Sequence, residues 1–96
     1  MLKNNYKTAL VTGASSGIGE ETVRLLDKNN IKVYAVARRK NKLIKLEKTT
    51  SCIPVVMDIR DRKALEKLKK LKIDILVNNA GLAEVLQKYL IQKLKI

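Results

Sequence analysis

A chain of 96 residues holds at most one domain, and 46% apolar content is enough to pack its core. One cysteine and no histidine exclude an internal disulfide, a histidine base and any recognisable metal site. The formal net charge of +12, from 21 basic and 9 acidic residues, keeps anionic partners open, while no apolar run approaches the roughly 18 residues of a membrane span.

Met1 to Tyr6 lead straight into the first apolar run with no targeting core, which predicts a cytoplasmic protein. That run, Thr8-Ala9-Leu10-Val11, predicts a strand over 7–12. The octapeptide Thr12-Gly13-Ala14-Ser15-Ser16-Gly17-Ile18-Gly19 follows and opens an amphipathic helix from about Ser16 to Lys28. Ile18, Thr22, Leu25 and Leu26 fall at i, i+4, i+7 and i+8 and are expected to form its buried stripe. Glu20 and Glu21 complement the positive helix start, and Asn29 or Asn30 can end it in a left-handed turn. Strand, glycine-rich turn and helix form the context in which bare backbone cradles a pyrophosphate. Gly13 lets the chain turn sharply, Gly17 lets the backbone approach a phosphate, and Gly19 lets the helix sit tightly on the sheet. The spacing is GxxxGxG, not the commoner GxGxxG, and a loop serving only chain reversal is the alternative.

A second strand is expected over 32–37, ending at Ala37-Arg38-Arg39. The residue closing that strand lies beside the adenosine ribose in a dinucleotide fold, where an arginine accommodates the 2′-phosphate of NADP. Arg38 lies 19 residues after Gly19, near the expected offset. The alternative is a solvated arginine pair. A short helix over about 41–48 turns Leu43 and Leu46 to the sheet. Cys52 then reads as a small buried hydrophobe beside a third strand at 53–58. At that strand's end, Asp58 can accept from an adenine amino group or begin a turn. Asp61 competes for the cap of a third helix, which is expected to bury Ala64, Leu68 and Leu71. The fourth strand, 74–79, ends in Asn78-Asn79-Ala80-Gly81. Its amides can tie strands together and touch a ribose, or form a simple turn.

Near-continuous apolar strands alternating with helices predict an α/β, Rossmann-like parallel sheet covered by helices. Right-handed crossovers give the strand order 3-2-1-4. The switch point then falls between strands 1 and 4, whose carboxyl ends carry Gly13 to Gly19 and Asn78 to Gly81.

Over about residues 6–83 these motifs resemble the N-terminal portion of the short-chain dehydrogenases/reductases. TGxxxGxG matches Thr12 to Gly19, the adenine-side aspartate matches Asp58, and NNAG matches Asn78 to Gly81. The resemblance implies an NADP site at Gly13, Ser15, Ser16, Gly17, Ile18, Gly19, Arg38, Arg39, Asp58, Ile59, Asn79, Ala80 and Gly81. Ala37-Arg38-Arg39 and Asn79-Ala80-Gly81-Leu82-Ala83 are similar to members that oxidise serine and other 3-hydroxy acids.

Family members place a serine and a Tyr-x-x-x-Lys pair well downstream of NNAG for proton and hydride chemistry, whereas this chain ends 15 residues after Gly81. Tyr89-Leu90-Ile91-Gln92-Lys93 has the Tyr-x-x-x-Lys spacing but lies too close to Asn78 to serve. Tyr89 reads instead as packing on a stripe with Val85, Leu86, Leu90 and Leu94. Residues 84–96 form a divergent helical tail or the out-of-frame end of an interrupted gene. The expectation is a first half of the doubly wound fold, with no catalytic residue of its own and little turnover. Without a fifth strand, Ile75-Leu76-Val77 becomes an apolar edge that favours self-association. The alternatives are a vestigial cofactor site or a basic nucleic-acid-binding module. Lysines such as Lys63, Lys67, Lys69, Lys70 and Lys72 lie on a helix face without stacking aromatics, which favours a solvated surface over the latter.

Overall fold

Each apolar run becomes a parallel strand, and each intervening amphipathic run becomes a helix. The computed structural model describes residues 7–79; Ala80, Gly81, the tail over 84–96 and the Tyr89–Lys93 string lie outside them. In chain order the elements are β1 (Thr8–Thr12), α1 (Gly17–Lys28), β2 (Lys32–Ala37), α2 (Lys40–Thr49), β3 (Ile53–Val56), α3 (Arg62–Leu68) and β4 (Ile75–Val77). The sheet order is β3-β2-β1-β4, as the crossover argument predicts. β1 lies in register with both neighbours, Ala9 opposite Val33 on one side and Ile75 on the other. The Asp74 carboxylate fixes the start of that register by accepting from the Lys7 and Thr8 amides at 2.8 and 3.0 Å. Those two bonds hold Asp74 below the usual carboxylate range. β3 and β4 end earlier than expected, which leaves Asp58 and Asn78–Asn79 in the loops just past the strands.

Successive strand residues alternate between two cores. Ala9, Val11, Val33 and Ala35 join Val23 and Leu26 of α1 and Leu43 and Leu46 of α2 on one face. Leu10 and Val36 meet Leu65 and Leu68 of α3, with Ile73, on the other. Cys52 is buried in the first core, and burial pushes its thiol pKa up. Among the described residues β4 pairs with β1 alone, and Ile75, Leu76 and Val77 are half-buried.

Two helices settle in a different register from the one the periodicity suggests. On α1 the buried positions are Gly19, Val23 and Leu26, while Ile18 and Leu25 are 76% and 61% exposed. The cause is Gly19. A Cβ there would collide with the Gly13 carbonyl, so the helix rests on this bare position and rotates Ile18 and Leu25 outward. On α3, Asp61 caps as expected, its carboxylate accepting from the Lys63 amide at 3.0 Å and the Ala64 amide at 3.4 Å. The helix ends at Leu68, so Leu65 takes the buried place expected for Ala64, and Leu71 packs from the following turn. The α1 ending is as expected: Asn30 takes a left-handed φ of 60°.

Leucines that are equivalent in sequence therefore differ in cost. Leu65→Ala is expected to destabilise by about 2–5 kcal/mol, whereas Leu25→Ala stays within about 0.5 kcal/mol. Urea unfolding of both variants checks the assigned faces.

Candidate cofactor site

The turn after β1 is shaped by two glycines in left-handed conformations, Gly13 at φ 62° and Gly17 at φ 46°. Between them the Ala14 amide donates to the Val36 carbonyl at 3.0 Å, which fastens the turn to the end of β2. Ser16 occupies the N-cap of α1 in an extended conformation, with no side-chain capping bond. The first-turn amides of a helix have no carbonyl partner within it and carry the positive end of its dipole. A Cβ built at Gly17 meets nothing within 4 Å. The Gly17 backbone thus faces open space on that side.

Gly19 has the opposite role. Besides the Gly13 carbonyl, its Cβ would lie 2.7 Å from Asn79 Nδ2. That same Nδ2 donates to the Gly13 carbonyl at 3.1 Å. The Asn79 amide donates to Thr12 Oγ1 at 3.0 Å, and Thr12 Oγ1 donates to Asn78 Oδ1 at 3.2 Å. Asn78 and Asn79 do tie strands together, but through a residue that sequence reasoning left unassigned. Thr12 is fully buried. A hydroxyl directly after the apolar run Ala9-Leu10-Val11 was the available signal. Thr12→Val keeps the shape and removes the acceptor for the Asn79 amide. It is expected to cost about 1–3 kcal/mol and to shift the Asn79 amide resonance in an NMR spectrum.

A cleft of about 460 Å³ opens over the carboxyl ends of β1, β2 and β3. It brings together Gly13, Ser15 and Ser16 from the turn, Arg38 and Arg39 after β2, Asp58 and Ile59 after β3, and Asn79 after β4. Ile59 is buried in the second core and forms part of the wall. Gly17 and Ile18 line a separate shallow groove with Leu25, and Gly19 is buried at the Gly13 carbonyl.

Arg60 also lines the cleft and was not singled out from the sequence. Its backbone amide donates to Asp58 Oδ1 at 2.9 Å, and its guanidinium grips both carboxylate oxygens, Nη2 to Oδ2 at 2.7 Å and Nε to Oδ1 at 3.0 Å. The Arg60 side chain draws the Asp58 pKa down to about 2, with a weaker pull from Arg38. The Asp58 carbonyl also accepts from the Asp61 amide at 2.9 Å. Asp58 therefore begins the turn into α3 and also faces the cleft. Among the described residues, three arginines, Arg38, Arg39 and Arg60, line this cleft against one acid, Asp58. Such a lining favours an anion carrying more than one charge.

A protein-family model described as short chain dehydrogenase matches residues 7–95. An uncharacterised short-chain type dehydrogenase/reductase of Sinorhizobium fredii is 45% identical over 80 residues, covering 82% of this chain and 32% of its own length. An NADP-dependent 3-hydroxy acid dehydrogenase of Salmonella typhi is 40% identical over 82 residues, covering 77% of this chain and 33% of its own. Among solved structures, the apo form of a Caenorhabditis elegans glucose dehydrogenase superposes with a TM-score of 0.80 at 26% identity, covering 92% of this chain and 49% of that one. The chain spans about a third of the length of the curated relatives it matches.

Proposed function

The chain belongs to the short-chain dehydrogenase family, and from that premise we propose that it is an NADP(H)-binding module, the coenzyme-holding N-terminal part of an oxidoreductase. The observation that carries this reading is the convergence of the Gly13–Ser16 turn, Arg38, Arg39 and Asp58 on one cleft. The first-turn amides of α1 and the hydroxyls of Ser15 and Ser16 hold the pyrophosphate. Gly17 leaves the space a phosphate needs, since nothing lies within 4 Å of where its Cβ would be. Arg38 and Arg39 take the 2′-phosphate through planar donor forks. Asp58 accepts from the adenine amino group, Ile59 supplies an apolar wall, and Asn79, followed by Ala80 and Gly81, borders the ribose.

When bound, NADPH supplies a hydride, and the residues of this chain bind and orient it. Hydride transfer to a carbonyl, and the reverse oxidation of an alcohol, belong to a protein of the relatives' full length. The Salmonella relative's name points to 3-hydroxy acids as the substrate class. From these ninety-six residues we expect coenzyme binding with little or no turnover, in the cytoplasm.

Thermal denaturation with and without NADP⁺ tests the reading. A ligand at a hundred times its Kd stabilises the folded state by about 2.7 kcal/mol, which raises the midpoint of a domain this size by roughly 10 °C or more. A midpoint unchanged at millimolar NADP⁺ would leave the site vestigial.

A further inference from the structure

We propose that Arg60 is a positioning residue. It holds the Asp58 carboxylate at the cleft with Oδ2 the less fully engaged oxygen, so that the pair selects a purine presenting an amino group rather than a carbonyl. This rests on the coenzyme reading above and names what decides its base preference. A carboxylate offers about four acceptor sites. The Arg60 amide and Nε reach Oδ1 at 2.9 and 3.0 Å, and Nη2 reaches Oδ2 at 2.7 Å. Nε is shared with Oδ2 at 3.2 Å. Three donors thus make four contacts, and Oδ2 is the less fully engaged oxygen, because one of its two contacts is the longer, shared one. One further N–H donor can be accepted there, whereas a carbonyl oxygen meets only negative charge.

The pair is a poor device for stability. Its side chains are 35% and 64% exposed for Asp58 and Arg60, and exposed ion pairs contribute little to folding. Its value lies in geometry. The two residues are two positions apart in one turn, and the planar fork sets the carboxylate's orientation in a way a single ammonium cannot. Both line the cleft together with Arg38 and Ile59.

The test is calorimetric titration of the full chain and its variants with NADP⁺ and with its hypoxanthine analogue, which replaces the amino group by a carbonyl. The unaltered chain should prefer the adenine form by about tenfold, the worth of one charge-assisted hydrogen bond. Arg60→Gln should bring the ratio close to one. Arg60→Lys should restore overall affinity but not the ratio, because it keeps the charge and loses the fork. Asp58→Asn should abolish the preference, and adding Arg60→Gln to it should change the ratio no further. If Arg60→Gln weakens both nucleotides equally, or Arg60→Lys restores the ratio, Arg60 acts only as a charge and the assignment fails. If Arg60→Gln tightens NADP⁺, Arg60 competes with the base and the assignment also fails. Failure of the unaltered chain to bind either nucleotide would instead overturn the coenzyme reading itself.

Discussion

Gly19→Ala is expected to lose nucleotide binding and to melt about 4–24 °C below the unaltered chain. The added carbon has to occupy the place of the Gly13 carbonyl and approach Asn79 Nδ2 at 2.7 Å. A flexible side chain could give way, but the chief obstacle is backbone already committed to the turn. Overpacking of this kind costs about 1–3 kcal/mol, and about 1 kcal/mol shifts the midpoint of a domain this size by roughly 4–8 °C. Relief requires α1 to move off β1, which breaks the Asn79–Gly13 bond and displaces the turn from the cleft. Gly17→Ala provides the contrast. Its methyl meets open space, but its φ of 46° is unfavourable for an L side chain, so the cost is a backbone cost of about 1–2 kcal/mol. Circular dichroism melts of the two variants side by side check the ordering. Equal, small losses would show that the helix can slide without consequence.

Arg38→Ala is expected to weaken NADP⁺ by about 10- to 100-fold while leaving NAD⁺ almost unchanged. A charge-assisted hydrogen bond contributes about 1.5–3 kcal/mol, and each 1.4 kcal/mol is roughly tenfold in affinity. The 2′-phosphate is the only group that distinguishes the two nucleotides, so a selective loss locates that phosphate at the end of β2. Arg38 also helps hold down the Asp58 pKa, but Arg60 is the larger cause. Asp58 therefore stays ionised in the variant, and the adenine contact is not lost along with the phosphate contact. The effect should weaken as salt rises, because both arginines are exposed and screened. An equal loss for the two nucleotides would reduce Arg38 to a general contribution to the positive field. Fluorescence titration of both nucleotides at two ionic strengths separates these outcomes.

The sheet was legible because its strands are buried from both sides and read as unbroken apolar runs. Val33 and Ala35 face one core and Val36 the other, so neither face needed a polar residue. The order 3-2-1-4 followed from crossover handedness, which is a property of chirality more than of composition. The stripe on α1 was not legible by periodicity. Ile18 and Leu25 are as apolar as Val23 and Leu26, so two faces competed, and the steric demand at Gly19 that decides between them comes from a carbonyl six residues earlier. On α3 the error was smaller: the helix stops at Leu68, so a repeat extended to Leu71 selected the wrong partner in the first turn.

At the cleft, Gly13, Arg38, Arg39, Asp58 and Asn79 were found because each lies one or two residues past a strand, where the chain has to change direction. Thr12 and Arg60 escaped for opposite reasons. Thr12 opened the glycine-rich motif but carried no role of its own, which emerges only when Asn79 arrives beside it from 67 positions away. Arg60 was one positive charge among 21. Only the turn after β3, which folds the guanidinium back onto Asp58, distinguishes it.

Isothermal titration of NADP⁺ and NAD⁺ into the folded chain tests the central claim most directly. The predicted result is a saturable one-site heat with NADP⁺ and a clearly weaker one with NAD⁺. Absence of heat from both nucleotides, on material whose melting is cooperative, would contradict it.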